Sequence, residues 1–207
     1  MRNLPLPLRA LSLGVIASSL CATAALADEK AETFISGVLD EANAAFEKTD
    51  RSEQDAAIEA LVDKYVDWNR VARFTLGQYA RQASAEQMAE FKPLFHDYAT
   101  GVYQGMLEDY TGQKLAVTGS TDRSSRDIIV DSKVTGAKPG DQYADLVVHW
   151  RVYRTPEGEQ TVIDAGAQGV WLAIEQQSQF KSVIANNGGG AKGIDALIAD
   201  LKAKTGQ

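Results

Sequence analysis

The sequence predicts an α+β domain, with helices packed on a curved antiparallel sheet. Two changes of period predict it. Apolar residues recur about every 3.6 positions from Phe34 to Met106, then alternate from Lys114 to Glu175, and helical spacing returns from Ser178 onward. A run of helices, a run of strands joined by short turns and two closing helices place the helices against one face of a single sheet.

The first 27 residues stand apart from that domain. Arg2 and Arg9 are the only charges before Asp28, Ala10 to Leu20 is an apolar run, and Ala25-Leu26-Ala27 supplies a small-x-small cleavage pattern. The apolar run is shorter than the about 20 residues a spanning helix needs. We therefore expect residues 1–27 to be a removed secretory signal peptide and residues 28–207 to form one domain. An N-terminal anchor is one alternative; a lipoprotein is another, but Leu20 before Cys21 is larger than lipid attachment prefers. Cys21 is the only cysteine, so cleavage leaves no thiol for catalysis, metal binding or disulfides. Losing Arg2 and Arg9 also takes the formal charge from −7 to −9, which disfavours nucleic acid and anionic membrane surfaces as partners.

Phe34, Ile35, Val38, Leu39, Ala42 and Ala45 predict the first helix, which a polar break at Thr49-Asp50 ends. Ser52 or Asp55 is placed to cap a second helix carrying Ile58, Leu61, Val62 and Tyr65. Asp67 caps a short third helix, with Gly77 to stop it. Ser84-Ala85-Glu86-Gln87 is a capping box opening the longest helix, where Pro93 predicts a kink near residues 89–93 without a break. Strands are predicted at Lys114–Thr118, Asp127–Val134 and Tyr143–Arg154, with one or two more between Gln160 and Glu175. Turns fall at Lys138–Asp141 and Thr155–Gly158, and Ala165–Gly169 suggests a bulge or a close backbone contact. The last helices are Ser178–Ala185 and the stripe Ile194, Leu197, Ile198, Leu201.

Catalytic signals are sparse. Gly188 to Gly193 spells G-x-G-x-x-G, but too few residues follow it for a βαβ unit or a ribose-binding acid. The two histidines, His96 and His149, lie in no triad or metal-ligand spacing, and His149 shares a polar strand face with Asp145 and Arg151. The unusual supply is aromatic: Phe74, Tyr79, Phe91, Phe95, Tyr98, Tyr103 and Tyr110 exceed what one helix face needs. With Val130, Val148, Trp150 and Val152 on one strand face, they describe either a filled core or an apolar cavity between helices and sheet.

The stretch Val66–Tyr79, with Ala72-Arg73, Leu76-Gly77 and Tyr79, resembles the MlaC family, also called the toluene-tolerance family, of periplasmic phospholipid-binding proteins. Ser84–Gln87, Tyr103 with Leu107 and Tyr110, Gly169–Leu172, Phe180 and Gly193–Lys202 continue the resemblance over about residues 32–204. Ala80 stands where the family commonly has an aromatic, Pro93 interrupts the long helix, and the Asn186–Lys192 connector is long. The resemblance implies an NTF2-like domain with an added helical portion, enclosing an apolar cavity for acyl chains, with neither cofactor nor metal. It implies exchange of phospholipid with an inner-membrane ABC complex through its substrate-receiving subunit, and with an outer-membrane lipoprotein–porin complex. On that reading Val71, Phe74, Leu76, Tyr79, Phe95, Tyr98, Val102, Tyr103 and Met106 contact lipid from the helices. Val130, Val148, Trp150 and Val152 contact it from the sheet. Two alternatives stay open: a cavity-bearing enzyme using Tyr98 or Asp164, and an envelope interaction protein that binds no lipid.

Overall fold

A computed structural model describes residues 28–106, 114–137, 140–141 and 143–207. The expected leader and the tip of the Lys138–Asp141 turn lie outside these residues, as do the side chains of Tyr103 and Met106.

Among the described residues, six α-helices, one 3-10 helix (Gly77–Arg81, between α3 and α4) and five strands follow one another as α1 (Glu29–Phe46), α2 (Arg51–Tyr65), α3 (Trp68–Thr75), α4 (Ala85–Met106), β1 (Lys114–Ser124), β2 (Asp127–Thr135), β3 (Val147–Arg154), β4 (Gln160–Ala167), β5 (Val170–Trp171), α5 (Leu172–Asn186) and α6 (Gly190–Thr205). The strands form an antiparallel meander in chain order. Short turns permit that topology, since antiparallel neighbours need no crossover.

Side-chain oxygens of the preceding residue start the first four α-helices. Asp28 accepts from Ala31 N at 2.9 Å and Asp67 from Arg70 N at 3.0 Å, each satisfying a donor the helix leaves free. The cap of α2 is Asp50, bonded to Glu53 N, and not Ser52 or Asp55: the helix begins at Arg51, two residues before a Ser52 cap would start it. Ser84 and Gln87 exchange the two bonds of the capping box, at 3.0 and 3.1 Å. Pro93 sits inside one uninterrupted α4.

Three strand boundaries differ from the sequence expectation. β1 runs on to Ser124, because a bulge at Thr118 absorbs the residue that breaks the alternation. β3 starts only at Val147, because Asp141 accepts from Tyr143 N and turns the chain there. Strand character after β4 ends at Trp171, and α5 begins at Leu172, where Leu172-Ala173-Ile174 suits either period. The β4–β5 turn is tight: Gln168 and Gly169 both have positive φ, 52° and 82°, as a two-residue hairpin demands. The close contact anticipated in Ala165–Gly169 is at Gly166, where a Cβ would lie 2.9 Å from the Trp171 ring.

Two apolar clusters result. One places α1 (Ala31, Ile35, Leu39) on the sheet face made by Ile128, Val130, Val152 and Val162. The other is helical and joins Val71 and Leu76 of α3, Phe91 and Phe95 of α4, Phe180 and Ile184 of α5, and Leu197 and Leu201 of α6. Val66 packs against both; it also bridges to Val162, so the chain between α2 and α3 extends the sheet at the β4 edge.

The glycine-rich connector is a helix–helix turn. Gly188, Gly189 and Gly190 all have positive φ, and Gly189 N bonds to Ile184 O at 2.9 Å. Gly193 lets α6 meet α5: a Cβ there would stand 2.3 Å from the Ile184 carbonyl oxygen.

Candidate functional site

A cavity of about 120 Å³ opens between α3, α4 and α5. Val71 lines it from α3, and Phe95, Tyr98, Ala99 and Val102 from α4. The α5 wall begins apolar with Leu172 and Ala173 and becomes polar at Glu175, Gln176 and Gln179. Its lining thus joins apolar walls from α3 and α4 to the hydrogen-bonding groups of Glu175, Gln176 and Gln179 on α5. A second hollow of about 490 Å³ is an open groove between α1 and α2, lined largely by Ala44, Ala45, Ala57, Ala60 and Leu61. It encloses little and shares no residue with the sequence-predicted set.

Four sequence-predicted residues, Val71, Phe95, Tyr98 and Val102, meet at the first cavity. Leu76 and Tyr79 lie behind it in the helical cluster. Phe74 is 36 % exposed on the outside of α3, where its carbonyl accepts from Gln177 Nε2 of α5. The four sheet residues are elsewhere. Val130 and Val152 are fully buried beneath α1, with Trp150 packed beside them. Trp150 Nε1 donates to Ser132 Oγ, which donates to the Val148 carbonyl. Sequence reasoning missed the α5 wall by extending a strand through it. The spacing of Ala173, Phe180 and Ile184, all buried, was the available signal.

A family model described as MlaC protein matches residues 32–203. The chain belongs to the MlaC family. A phospholipid-binding protein from Ralstonia solanacearum, solved in complex with a phospholipid, has the same fold, with a TM-score of 0.70 and 24 % sequence identity. The match covers 86 % of this chain and 97 % of that one. No curated protein matches the chain.

In this MlaC-family chain several charged groups outside the cavity lining bind the framework. Asp164 of β4 is only 6 % exposed, and its Oδ1 accepts from Ala165 N and Ala173 N, both at 2.9 Å. The bond to Ala173 caps α5 from across the sheet edge, where Trp171, the residue before the helix, supplies no side-chain cap. Burial pushes the Asp164 carboxyl above its ordinary range, against the pull of the two N–H groups and Arg151. The cap uses Oδ1 alone; Asp164 Oδ2 is buried and has no hydrogen-bond partner among the described residues. His96 lies on the outer side of α4, between Asp63 of α2 (2.6 Å) and Asp97 (3.2 Å), with its ring edge-on to Trp68. His149 pairs with Asp131 on the polar sheet face, and Arg151 binds Asp127 through two bonds of 2.9 Å. The Arg151 pairing outweighs burial and holds Asp127 below the usual carboxylate range. Among the described residues no group of three His, Cys, Asp or Glu is placed to hold a metal ion, and no helix is long and apolar enough to cross a membrane.

Proposed function

We propose that this protein is a periplasmic phospholipid carrier, exported by its leader, that holds acyl chains between α3, α4 and α5. The observation that carries the reading is the cavity's polarity: hydrocarbon walls from Val71, Phe95 and Val102, with Glu175, Gln176 and Gln179 at the rim. Family membership and the phospholipid-bound relative of the same fold support it.

Two tails of ordinary length carry about 30 methylenes, each worth about 0.8 kcal/mol against water, so a bare lipid in an aqueous compartment stands roughly 24 kcal/mol uphill. A dry protein interior offsets most of that cost and leaves transfer to a bilayer nearly neutral. Direction then comes from partner proteins: an inner-membrane ABC complex at one end and an outer-membrane lipoprotein–porin complex at the other. A mature charge of −9 opposes free collision with anionic lipid and favours handover by docking. Lipid extraction and native mass spectrometry of the purified protein will find bound phospholipid. A lipid-free preparation that also takes up none from vesicles overturns the reading. Exchange with bare anionic vesicles will be slow and will accelerate when the ABC complex is present; equal rates remove the docking step.

A further inference from the structure

The first residue of the expected mature chain is tied into the fold by every polar atom it offers. Asp28 Oδ1 caps α1, its Oδ2 takes Arg154 Nη2 of β3 at 2.6 Å, and its carbonyl accepts from Glu32 N at 2.9 Å. Its nitrogen donates to Ser120 Oγ of β1 at 2.7 Å, and that hydroxyl donates in turn to Glu32 Oε1 at 2.7 Å. The Asp28 side chain is 12 % exposed. Burial raises its pKa, and Arg154 with the Ala31 N–H outweighs burial, so the carboxyl sits below its ordinary value. Residue 28 is thus the meeting point of α1, β1 and β3, and α1 is the helix that covers the buried sheet face.

We propose that the amino group released when the leader is cut after Ala27 is a structural group of the mature protein, an ammonium held by Ser120 and Glu32. In that cut, water hydrolyses the Ala27–Asp28 peptide bond under a signal peptidase; Ala27 leaves as a carboxylate and the Asp28 nitrogen remains, protonated at neutral pH. A peptide nitrogen has one hydrogen and no charge. The ammonium has three hydrogens and a positive charge, and the carboxylate of Glu32 stands one hydroxyl away. Charge-assisted hydrogen bonds are about twice as strong as neutral ones. The positive end of the α1 dipole opposes an ammonium there. The carboxylates of Asp28, Glu29 and Glu32 in the cap and first turn counter it. Leader removal therefore strengthens the bond that pins α1 over the sheet.

The inference rests on the cleavage site read from the sequence, and one experiment separates the two. Intact-mass analysis of protein processed by cells identifies its first residue. The rate of amine acylation at that residue is then compared with a leaderless form that begins at Ala27→Met, whose amine stands one residue out of the clasp. An amine pKa raised by one unit has about tenfold less free base at neutral pH, so the Asp28 amine will label about tenfold more slowly. Ser120→Ala and Glu32→Gln will each restore fast labelling, and the processed form will melt a few degrees above the Ala27→Met form. A chain that begins at Asp28 but labels and melts like the extended form overturns the clasp. A first residue other than Asp28 overturns the cleavage site, and the clasp with it.

Discussion

Asp164 does with one oxygen what the residue before α5 cannot do, because Trp171 has no side-chain acceptor for the helix's first N–H groups. Asp164→Ala removes that cap and will cost about 1 kcal/mol, read from the denaturant midpoint. Asp164→Asn keeps an acceptor and will recover most of the loss. The two forms also differ in pH dependence. Folding raises the Asp164 pKa, so its contribution is complete below the unfolded value and is lost as pH rises through the folded one. Thermal melts will show Asp164→Asn gaining on the wild type as pH rises from the ordinary carboxylate value of about 4. A constant gap would mean that the carboxyl is not perturbed. Gly193 acts by having no side chain. Gly193→Ala drives a methyl into the Ile184 carbonyl, 2.3 Å away, and will cost about 1–3 kcal/mol as overpacking does, with α5 and α6 losing exchange protection together. In the sequence this glycine closes a G-x-G-x-x-G pattern and opens the last helix of the family resemblance, but neither shows its packing role, since close approach of two helices leaves no local trace.

Elements with their own caps and stripes were legible; elements defined by distant partners were not. Ser84 and Gln87 announce α4, and Ile194, Leu197 and Leu201 announce α6, because both signals are local. The start of α5 was hidden because its cap comes from β4, and the end of β1 because a bulge breaks the alternation. The least buried of the six α-helices is α2, with Ile58 its one buried residue. Ionic contacts hold much of it: Lys64 donates to both oxygens of Glu41, and Asp63 pairs with His96. Partial burial pushes the His96 pKa down, and Asp63 and Asp97 outweigh this and lift it above its ordinary value. A raised histidine pKa stabilises fully below the unfolded value and loses that contribution as pH climbs through the folded one. Hydrogen exchange corrected for intrinsic rates will show α2 better protected at about pH 6 than at about pH 8, and His96→Gln will remove the difference. Protection that stays pH-dependent in the variant would assign the effect to another group.

The apolar residues fall into two clusters: α1 on the sheet face, and the helical cluster, four of whose residues line the cavity between α3, α4 and α5. That division was beyond the sequence, where the apolar faces of β2 and β3 looked as available to a ligand as those of α3 and α4. Which helix covers a sheet face depends on chain crossing, and no residue pattern encodes it. The cavity's about 120 Å³ corresponds to roughly four waters at about 30 Å³ each, far less than two acyl chains need. On the proposed function, holding acyl chains there requires α3, α4 and α5 to separate, against the buried packing of Phe91 and Phe95 on Phe180; α3 is tied more lightly. Trp68 meets Phe95 edge-on and Gln177 holds α3 by one hydrogen bond to the Phe74 carbonyl, contacts that re-form after a small shift. Lipid that occupies the opened space binds the folded state alone, so loading will raise the melting temperature in proportion to the logarithm of free lipid. Val102 tests the location. It is half-buried on α4 at the cavity wall, so a polar side chain there can reach solvent in the empty protein but must be desolvated beside a tail. Val102→Glu will leave the melting temperature of the empty protein nearly unchanged. Confining a polar group without a partner costs about 1–3 kcal/mol, which lowers phospholipid occupancy in native mass spectra about tenfold or more. A Val102→Glu protein that loads phospholipid as fully as the wild type would move the tails away from α4, leaving the α1–α2 groove as the place to look.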